Sequence, residues 1–561
     1  MNNARFLCYY KHNDTNVLLE GKTSEYMDAD YTITDSAIKL TLKPKAPVEL
    51  IWARFEFDHE FRDNDKYFVN GYQSWSVSRE YTKKDRQPSS AEWLKLFKAD
   101  KFAGLASEMW VCGKETKSGS FHSHCYTYIK NNESYCFMGS LSEKYGFTLI
   151  GADMNKNAMY IAKDVEGSVI DSDTDLFDIA ILSGSEDEVF DRYFELMGVS
   201  EPKIDHLAGY TSWYNYFQKI DEKIILRDLN AMDIVKDDVN IFQVDDGYET
   251  FVGDWLDPCE KFPNGMKYIA DKIHDKGYMA GIWIAPFSVQ IKSRTYREHP
   301  DWVIKDETGK PLLGCQGWGG AYTLDIYNPE VREYIRHFFD VILNDWGYDL
   351  VKLDFLYSEC MMPRNGKSRG EIMCEAMDFL RECCGEKLIL GCGVPLGAAF
   401  GRVDACRISC DVDLQYKPRF YHPLKISLEL PSAINAINNT IFRRQLNNRV
   451  FVNDPDVFFL RYSNLRFTIE QKILLGFVNH VCGDILFVSD NMDEYKHEDI
   501  KAVKQIFSKT DFKVIDANYI ENNKKILIKM LDKNGNVRMM WFAIDTGMGN
   551  YSAVSGIYAK R

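Results

Sequence analysis

The chain has 561 residues, of which 45% are hydrophobic and 27% charged, and its formal net charge is −15. That length exceeds one ordinary hydrophobic core and predicts two or three domains. The acidic balance argues against nucleic acid and against anionic membranes as partners. No membrane-length apolar run and no signal segment in residues 1–8 are visible, so we expect a cytoplasmic protein. The 14 cysteines are then expected to be free thiols.

Residues 1–203 show the period-two alternation that is typical of β-strands. Runs at 37–42, 147–150 and 168–170 are separated by turns rich in Gly, Asn and Asp. This pattern predicts an N-terminal β-sandwich over residues 1–203. The segment 122–125 reads His-Ser-His-Cys, but no matching ligand set lies near it in the sequence. We therefore predict no metal site there.

From residue 204 onward, short apolar strands alternate with helical patterns. Four helices are predicted, over 266–276, 329–345, 369–384 and 468–479. Eight strands are predicted, at 208–213, 240–245, 278–285, 349–354, 387–392, 405–411, 449–454 and 484–489. These repeats favour a (β/α)8 TIM barrel over 204–500, because an open doubly wound sheet would carry a Gly-rich phosphate loop that is absent. Residues 501–561 alternate again and predict a small antiparallel β domain.

Charged residues close one of these apolar strands. Lys352 and Asp354 are spaced i, i+2 at its end, so both side chains point to the same side. Burying two charges is costly unless they are paired or used in chemistry. A second carboxylate, Asp411, closes the strand at 405–411. Because catalysis in barrels occurs at the C-terminal ends of the strands, we predict that these residues carry the chemistry.

The other strand ends carry polar and aromatic residues. Each has an ordinary structural explanation: Asp245 and Asp246 could cap a helix, Arg407 could neutralise a neighbour, and the run 453–456 is typical of a turn. Taken together at one rim, they indicate a pocket for sugars, because carboxylates bind hydroxyls and indoles cover apolar C–H faces. The candidate side chains at the strand ends are Tyr214, Asp245, Asp246, Trp283, Lys352, Asp354, Cys392, Arg407 and Asp411.

An ordered set of motifs carries a family resemblance. It comprises Asn-Gly-Tyr-Gln-Ser-Trp at 70–75, Val-Asp-Asp-Gly-Tyr at 244–248, Gly-Asp-Trp at 253–255, Lys-Phe-Pro-Asn-Gly at 261–265, Lys-Leu-Asp at 352–354 and Arg-Ile-Ser-Cys-Asp at 407–411. This set resembles the glycoside hydrolase family 36 α-galactosidases, or melibiases. The resemblance implies retaining double displacement on terminal α-linked galactose of α-galactoside oligosaccharides, without metal or organic cofactor.

The resemblance also implies roles for individual residues. Asp354 falls on the family's nucleophile and Asp411 on its acid/base. Asp245 and Asp246 would bind the galactose 4- and 6-hydroxyls. Lys352 and Arg407 would bind ring hydroxyls and keep the carboxylates ionised, so we expect a lowered pKa at Asp354. Trp283, Tyr214 and Cys392 would line the sugar pocket, and Trp75 would reach it from the N-terminal domain.

Three alternatives differ in class. The same fold could serve an α-N-acetylgalactosaminidase or a galactosyl transferase, and the polar residues Asp413 and Gln415 after the acid/base leave the aglycone preference open. A non-catalytic sugar-binding protein is disfavoured, because none of the key carboxylates has been lost. A metal-dependent barrel hydrolase would need histidines at the strand ends, and the sequence has none there. A homo-oligomer is compatible with the sequence.

Overall fold

The structure is a computed structural model that describes residues 2–88, 117–418 and 431–551. Its N-terminal part is a sandwich of two seven-stranded antiparallel sheets that share one core. The first sheet, in spatial order, contains Thr15–Glu20, Asn2–His12, Val48–Asp58, Ala158–Asp164, Phe147–Asp153 and Ser120–His124, with Val169–Ile170 beside Val48–Asp58. The second contains Met27–Ile33, Ala37–Pro44, Thr174–Gly184, Ser134–Ser140, Tyr126–Asn131, Lys66–Val69 and Arg79–Tyr81. The predicted sandwich is confirmed.

The period-two pattern explains the sandwich core. Along Val48–Asp58, Phe55 and Phe57 are buried while Glu56 between them is not. Phe55 packs against Phe6 at 5.0 Å between ring centroids. The helix Glu186–Met197 follows the last strand and leads into the second domain.

The second domain is a parallel barrel of eight strands, as predicted. In chain order the strands are Leu207–Thr211, Ile241–Val244, Met279–Ile284, Leu350–Leu353, Leu388–Gly391, Ala405–Arg407, Val452–Asp454 and Ile485–Val488. The seventh and eighth strands are joined outside the ladder, where Asp484 N donates to Asn453 O at 3.2 Å. The sixth strand is shorter than predicted, so Asp411 lies four residues beyond its end, on a loop.

All four predicted helices are present. The helices around the barrel are Glu222–Ala231, Gly265–Asp275, Pro329–Asp340, Arg369–Cys384, Ala433–Phe442, Ile469–Cys482 and His497–Phe507, with short ones at Trp213–Tyr216, Arg294–Glu298 and Leu396–Ala399. Pro329 occupies the first helical turn, where its missing N–H has no helical partner to lose. Thr468 caps the helix Ile469–Cys482 through its side chain.

Two small antiparallel sheets complete the fold. The strands Ser288–Gln290, Leu313–Cys315 and Ala321–Thr323 form an insertion after the third barrel strand. The predicted C-terminal β domain is confirmed as a sheet of Lys513–Ile520, Lys525–Leu531 and Val537–Ala543. The domain limits at residues 203 and 500 stay predictions. Over the described ranges, no helix combines the length and apolar character that a bilayer crossing requires.

Candidate active site

A cavity of about 350 Å³ opens at the C-terminal ends of the barrel strands. Seven of the ten predicted site residues line it: Trp75, Asp245, Asp246, Trp283, Lys352, Asp354 and Asp411. The other three predicted residues do not line the cavity but are buried next to it: Tyr214, Cys392 and Arg407. Tyr214 and Cys392 had been expected to line the pocket. The fold therefore brings all the predicted side chains to one end of the barrel.

Asp354 lies immediately after the fourth barrel strand and is 8% exposed. Its Oδ2 accepts a hydrogen bond from Trp283 Nε1 at 3.1 Å, and its Oδ1 accepts one from Phe355 N at 2.8 Å. Burial raises the pKa of Asp354 above its ordinary value, although the charge of Lys352 and the hydrogen bond from Trp283 oppose the rise. The predicted lowering of this pKa is therefore wrong, because desolvation outweighs the nearby cation.

The chain turns sharply just after Asp354. Phe355 has a φ of +54°, a left-handed conformation that is uncommon for a bulky residue. Such strain persists where the surrounding structure enforces it, as it often does at functional sites. Asp354 and Phe355 both line the cavity at this turn.

Lys352 forms its ion pair with Asp245, at 2.9 Å, and not with Asp354. Gln243 Nε2 donates to the same Asp245 oxygen, Oδ2, at 2.9 Å. Although burial opposes it, the charges of Asp245 and Asp354 raise the pKa of Lys352, so the ammonium group stays charged. The inner end of the cavity thus holds one cation between two carboxylates.

Asp246 lies beside this pair and is held by neutral donors. Trp318 Nε1 donates to its Oδ2 at 2.8 Å, and Gln218 Nε2 donates to the same oxygen at 3.0 Å. Burial raises the pKa of Asp246 above its ordinary value. Its carboxylate is fixed in orientation and faces the cavity.

Asp411 lies at the open side of the cavity, with a side chain that is 48% exposed. Arg407, which is 2% exposed, donates to Asp411 Oδ1 at 2.8 Å from Nη2. The same nitrogen lies 2.7 Å from Asp456 Oδ2. Arg407 therefore holds two carboxylates of the rim and does not contact Asp354 through any described hydrogen bond.

Asp456 is a supporting residue that the sequence did not single out. It is 4% exposed, has a φ of +76°, and accepts hydrogen bonds from Tyr214 Oη and, at 2.8 Å, from Val412 N. Burial raises its pKa to about 7. Because Val412 follows Asp411, Asp456 fixes the backbone next to the proposed acid/base. By itself the run 453–456 predicted a turn, and together with the other strand ends it predicted part of the polar rim. Asp454 Oδ1 accepts a hydrogen bond from Asp456 N at 2.8 Å, as expected for such a turn.

Trp318 was also missed, because it lies in the insertion after the third strand. Its ring lies 5.9 Å from that of Trp283 and 5.0 Å from that of Phe355, and it covers part of the cavity. The run Gly-Trp-Gly-Gly at 317–320 was the available signal, since glycines around one indole indicate a tight exposed turn.

Asp413, which follows the proposed acid/base by two residues, does not line the cavity and accepts a hydrogen bond from Leu414 N at 2.6 Å.

Trp75 enters the cavity wall from the N-terminal domain of the same chain, as the resemblance implied. Its Nε1 lies 3.4 Å from Cys392 Sγ, and its ring meets that of Phe355 edge-on at 5.3 Å. Gly393 permits this approach, because a Cβ there would lie 2.9 Å from the indole. The pocket is thus built from two domains.

Residues 213–372 match the Melibiase family model. This segment is a melibiase domain. Two curated relatives align with parts of the chain at 32% identity. The A type blood α-D-galactosamine galactosaminidase of Flavonifractor plautii aligns over 139 residues, which are 23% of this chain and 13% of that protein. α-Galactosidase Mel36A of Lactobacillus acidophilus aligns over 123 residues, 21% of this chain and 16% of that protein.

The chain therefore matches less than a fifth of the length of either curated relative. A solved structure is similar over a longer range. The α-galactosidase TtGalA of Thermus thermophilus, in complex with p-nitrophenyl α-D-galactopyranoside, superposes with a TM-score of 0.70 at 23% identity. The match covers 90% of this chain and 99% of that one, and it shows a shared fold. The resemblance stated from the sequence is confirmed.

The barrel presents two carboxylates to one cavity in different surroundings. Asp354 is buried and hydrogen-bonded, whereas Asp411 is half-exposed and bound to a buried guanidinium. Two carboxyl groups in one sugar-sized cavity are the arrangement that glycosidic cleavage requires. The paired Asp245 and Lys352 add a hydrogen-bonding surface for hydroxyl groups.

Proposed function

We propose that this chain is a retaining exo-α-galactosidase that hydrolyses terminal α-linked galactose from oligosaccharides. The observation that carries the proposal is that Asp354 and Asp411 line the same cavity as the pair Asp245 and Asp246. A volume of about 350 Å³ suits one terminal sugar unit better than an internal stretch of a polymer. The complexes of TtGalA with p-nitrophenyl α-D-galactopyranoside and with stachyose support the substrate class.

In the first step, Asp411 donates a proton to the glycosidic oxygen while Asp354 attacks the anomeric carbon. The bond to the leaving alcohol breaks, and galactose becomes covalently attached to Asp354. The N–H groups of Trp283 and Phe355 support the ionised nucleophile before attack. In the second step, Asp411 removes a proton from water, which displaces Asp354 and releases galactose with retained configuration.

The inner end of the cavity would bind the galactose hydroxyls. Asp245 is ion-paired with Lys352, and Asp246 is oriented by Trp318 and Gln218. Both carboxylates then accept hydrogen bonds from the 4- and 6-hydroxyls, while Lys352 donates to a ring hydroxyl. The indole of Trp283 covers an apolar C–H face of the sugar.

The test is hydrolysis of p-nitrophenyl α-galactoside, with the first product anomer read by proton NMR. Release of α-galactose indicates retention, and release of β-galactose indicates inversion and refutes the double displacement. Asp354→Asn should lower kcat at least about a thousandfold, because it removes the nucleophile. Asp413→Asn is the matched control, because Asp413 is buried nearby, lies outside the cavity, and has a φ of +54° that asparagine tolerates.

A second candidate is activity on a 2-amino sugar, as in an α-N-acetylgalactosaminidase, because the F. plautii relative is an α-D-galactosamine galactosaminidase. A p-nitrophenyl N-acetyl-α-galactosaminide assayed beside the galactoside separates the two activities, and added sugar acceptors reveal galactosyl transfer.

We also propose a cytoplasmic location, because the thirteen cysteines described are all free. Fractionation of the native source with a cytoplasmic marker would test it.

A further inference from the structure

A loop of the N-terminal domain, residues 70–78, reaches across the top of the barrel to the cavity. Ser74 N donates to Val394 O at 3.0 Å, which anchors the loop just beyond the fifth barrel strand. One residue later, Trp75 lines the cavity beside Cys392. The shape of the cavity wall therefore depends on how this loop is docked.

Arg443 is fully buried beneath the loop, at 0% exposure. A guanidinium has five N–H groups, and here each one has a neutral oxygen as acceptor. Four acceptors belong to the loop and one to the barrel: Asn70 Oδ1 at 3.1 Å, Gly71 O at 3.3 Å, Gln73 O at 3.0 Å, Ser74 O at 2.7 Å and Ile408 O at 2.9 Å. The side chain thus determines the path of the loop by direct contact.

The fifth acceptor connects the loop to the catalytic machinery. Ile408 lies between Arg407, which binds Asp411, and Asp411 itself. Through Nη1, Arg443 donates both to Ser74 O next to Trp75 and to Ile408 O. One cation therefore sets the distance between the tryptophan wall and the segment that bears the proposed acid/base.

Asn439 adds a second anchor on the same helix face. It lies four residues before Arg443, one helical turn away. Its Nδ2 donates to Ser76 O at 2.9 Å, and its Oδ1 accepts from Ser78 N at 2.9 Å. The loop itself is tight, because a Cβ on Gly71 would lie 2.3 Å from the Cβ of Ser76.

We propose that Arg443 is a positioning residue for the reaction, which holds Trp75 and the Asp411 segment in their working arrangement. The inference rests on the proposed function. Arg443 contacts neither Asp354 nor Asp411 through a described hydrogen bond, so it acts through the loop and through Ile408. Lysine cannot reproduce this contact, because it offers three donors from a single point where arginine offers five from a planar fork.

A double-mutant cycle on the full chain tests the proposal with an aryl α-galactoside. Arg443→Lys should lower kcat/KM about tenfold, because at least two hydrogen bonds in the loop are lost. Trp75→Phe removes the N–H to Cys392, and the double variant should be no worse than Arg443→Lys alone, because both changes act on one wall. Additive losses would overturn the proposal.

Arg444→Lys is the matched control. Arg444 is the next residue, is 7% exposed, and donates to Glu186 and to Ile441 O without touching the loop. It should lower the melting temperature as Arg443→Lys does, yet leave kcat/KM near the wild-type value. An equal loss of kcat/KM in both variants would show that Arg443 contributes to folding alone, and would overturn the positioning role.

A second readout does not require activity. Cys392 is 1% exposed and covered by Trp75, so alkylation of its thiol, mapped by peptide mass spectrometry, reports the docking of the loop. Arg443→Lys should speed this alkylation about tenfold, with Arg444→Lys unchanged. If Arg443→Lys does not fold, Asn439→Ala replaces it in this experiment and should likewise speed the alkylation of Cys392. Unchanged labelling would refute the inference, whereas an inactive wild type would refute the proposed function and leave this readout usable.

Discussion

The two proposed catalytic carboxylates occupy opposite kinds of surroundings. Asp354 lies at the inner end of the cavity, directly after a strand, with Trp283 and the backbone as hydrogen-bond donors. Asp411 lies at the rim, on a loop four residues beyond a strand, and depends on Arg407. The inner group owes its position to strand register, and the rim group owes its position to buried charges that hold a loop. The difference suits their roles, because a nucleophile needs fixed geometry and an acid/base needs access to the leaving group and to water.

The largest expected effect comes from removing each carboxylate in turn. Asp354→Asn should lower kcat at least about a thousandfold on every substrate, because no other group forms the covalent bond. Asp411→Asn should lower kcat/KM on raffinose by about 10²–10⁴-fold, the usual value of proton donation. On p-nitrophenyl α-galactoside its loss should be much smaller, because nitrophenolate leaves without a proton.

Steady-state kinetics on the two substrates measures this contrast. Equal losses of kcat/KM for Asp411→Asn on both substrates would contradict the acid role, because kcat/KM reports the first step alone. A loss of kcat on both substrates is expected, because Asp411 is also the base of the second step. A leaving-group dependence in Asp354→Asn would indicate that the roles are reversed.

The second largest effect is on the stability of the fold, through the ion pair at the inner end of the cavity. Lys352→Met should destabilise the fold by about 3–5 kcal/mol, because it leaves the buried Asp245 without its cation. Urea denaturation at neutral pH measures the loss. Lys352→Met combined with Asp245→Asn should recover part of it, since the uncompensated charge is then removed. Lys387→Met is the control, because Lys387 is partly exposed and its partner Asp349 lies outside the cavity.

The third effect is a pH dependence at the rim. Burial raises the pKa of Asp456 to about 7, whereas the unfolded value is about 4. Between these values the folded state binds more protons than the unfolded state, so this group makes the free energy of unfolding fall as pH rises from about 4 to about 7. Asp456→Asn should flatten that slope. Melting temperatures of the wild type and of Asp456→Asn, measured across this pH range, test the prediction. Parallel curves for the two proteins would contradict the raised pKa of Asp456.

The smallest effect concerns sugar binding. Trp318→Phe keeps an aromatic ring but removes the N–H to Asp246, so KM for the galactoside should rise about fivefold, the effect of one lost hydrogen bond of about 1 kcal/mol. Because the reacting carboxylates are untouched, kcat should change little. Trp541→Phe, in the C-terminal sheet and 36% exposed, is the control. A fall in kcat with constant KM would place Trp318 in the chemical step instead.

Much of the site could be predicted because strand ends converge in a barrel. Once eight apolar strands were recognised, Asp245, Trp283, Lys352 and Asp354 had to meet at one rim, since parallel strands place their carboxyl ends together. Trp318 and Asp456 could not be found this way. One lies in an insertion and the other in a turn, and neither follows the strand periodicity on which the argument depended.

By itself, the sequence determined the order of domains, the number of barrel strands and the carboxylates at their ends, because apolar periodicity reports which faces are buried. Only the tertiary structure decided which charges pair. Lys352 holds Asp245 instead of its neighbour in the strand, and Arg443 joins a loop 370 residues away to the strand end beside Asp411. These pairings depend on how close distant segments come in space, and the residue pattern along the chain does not contain that information.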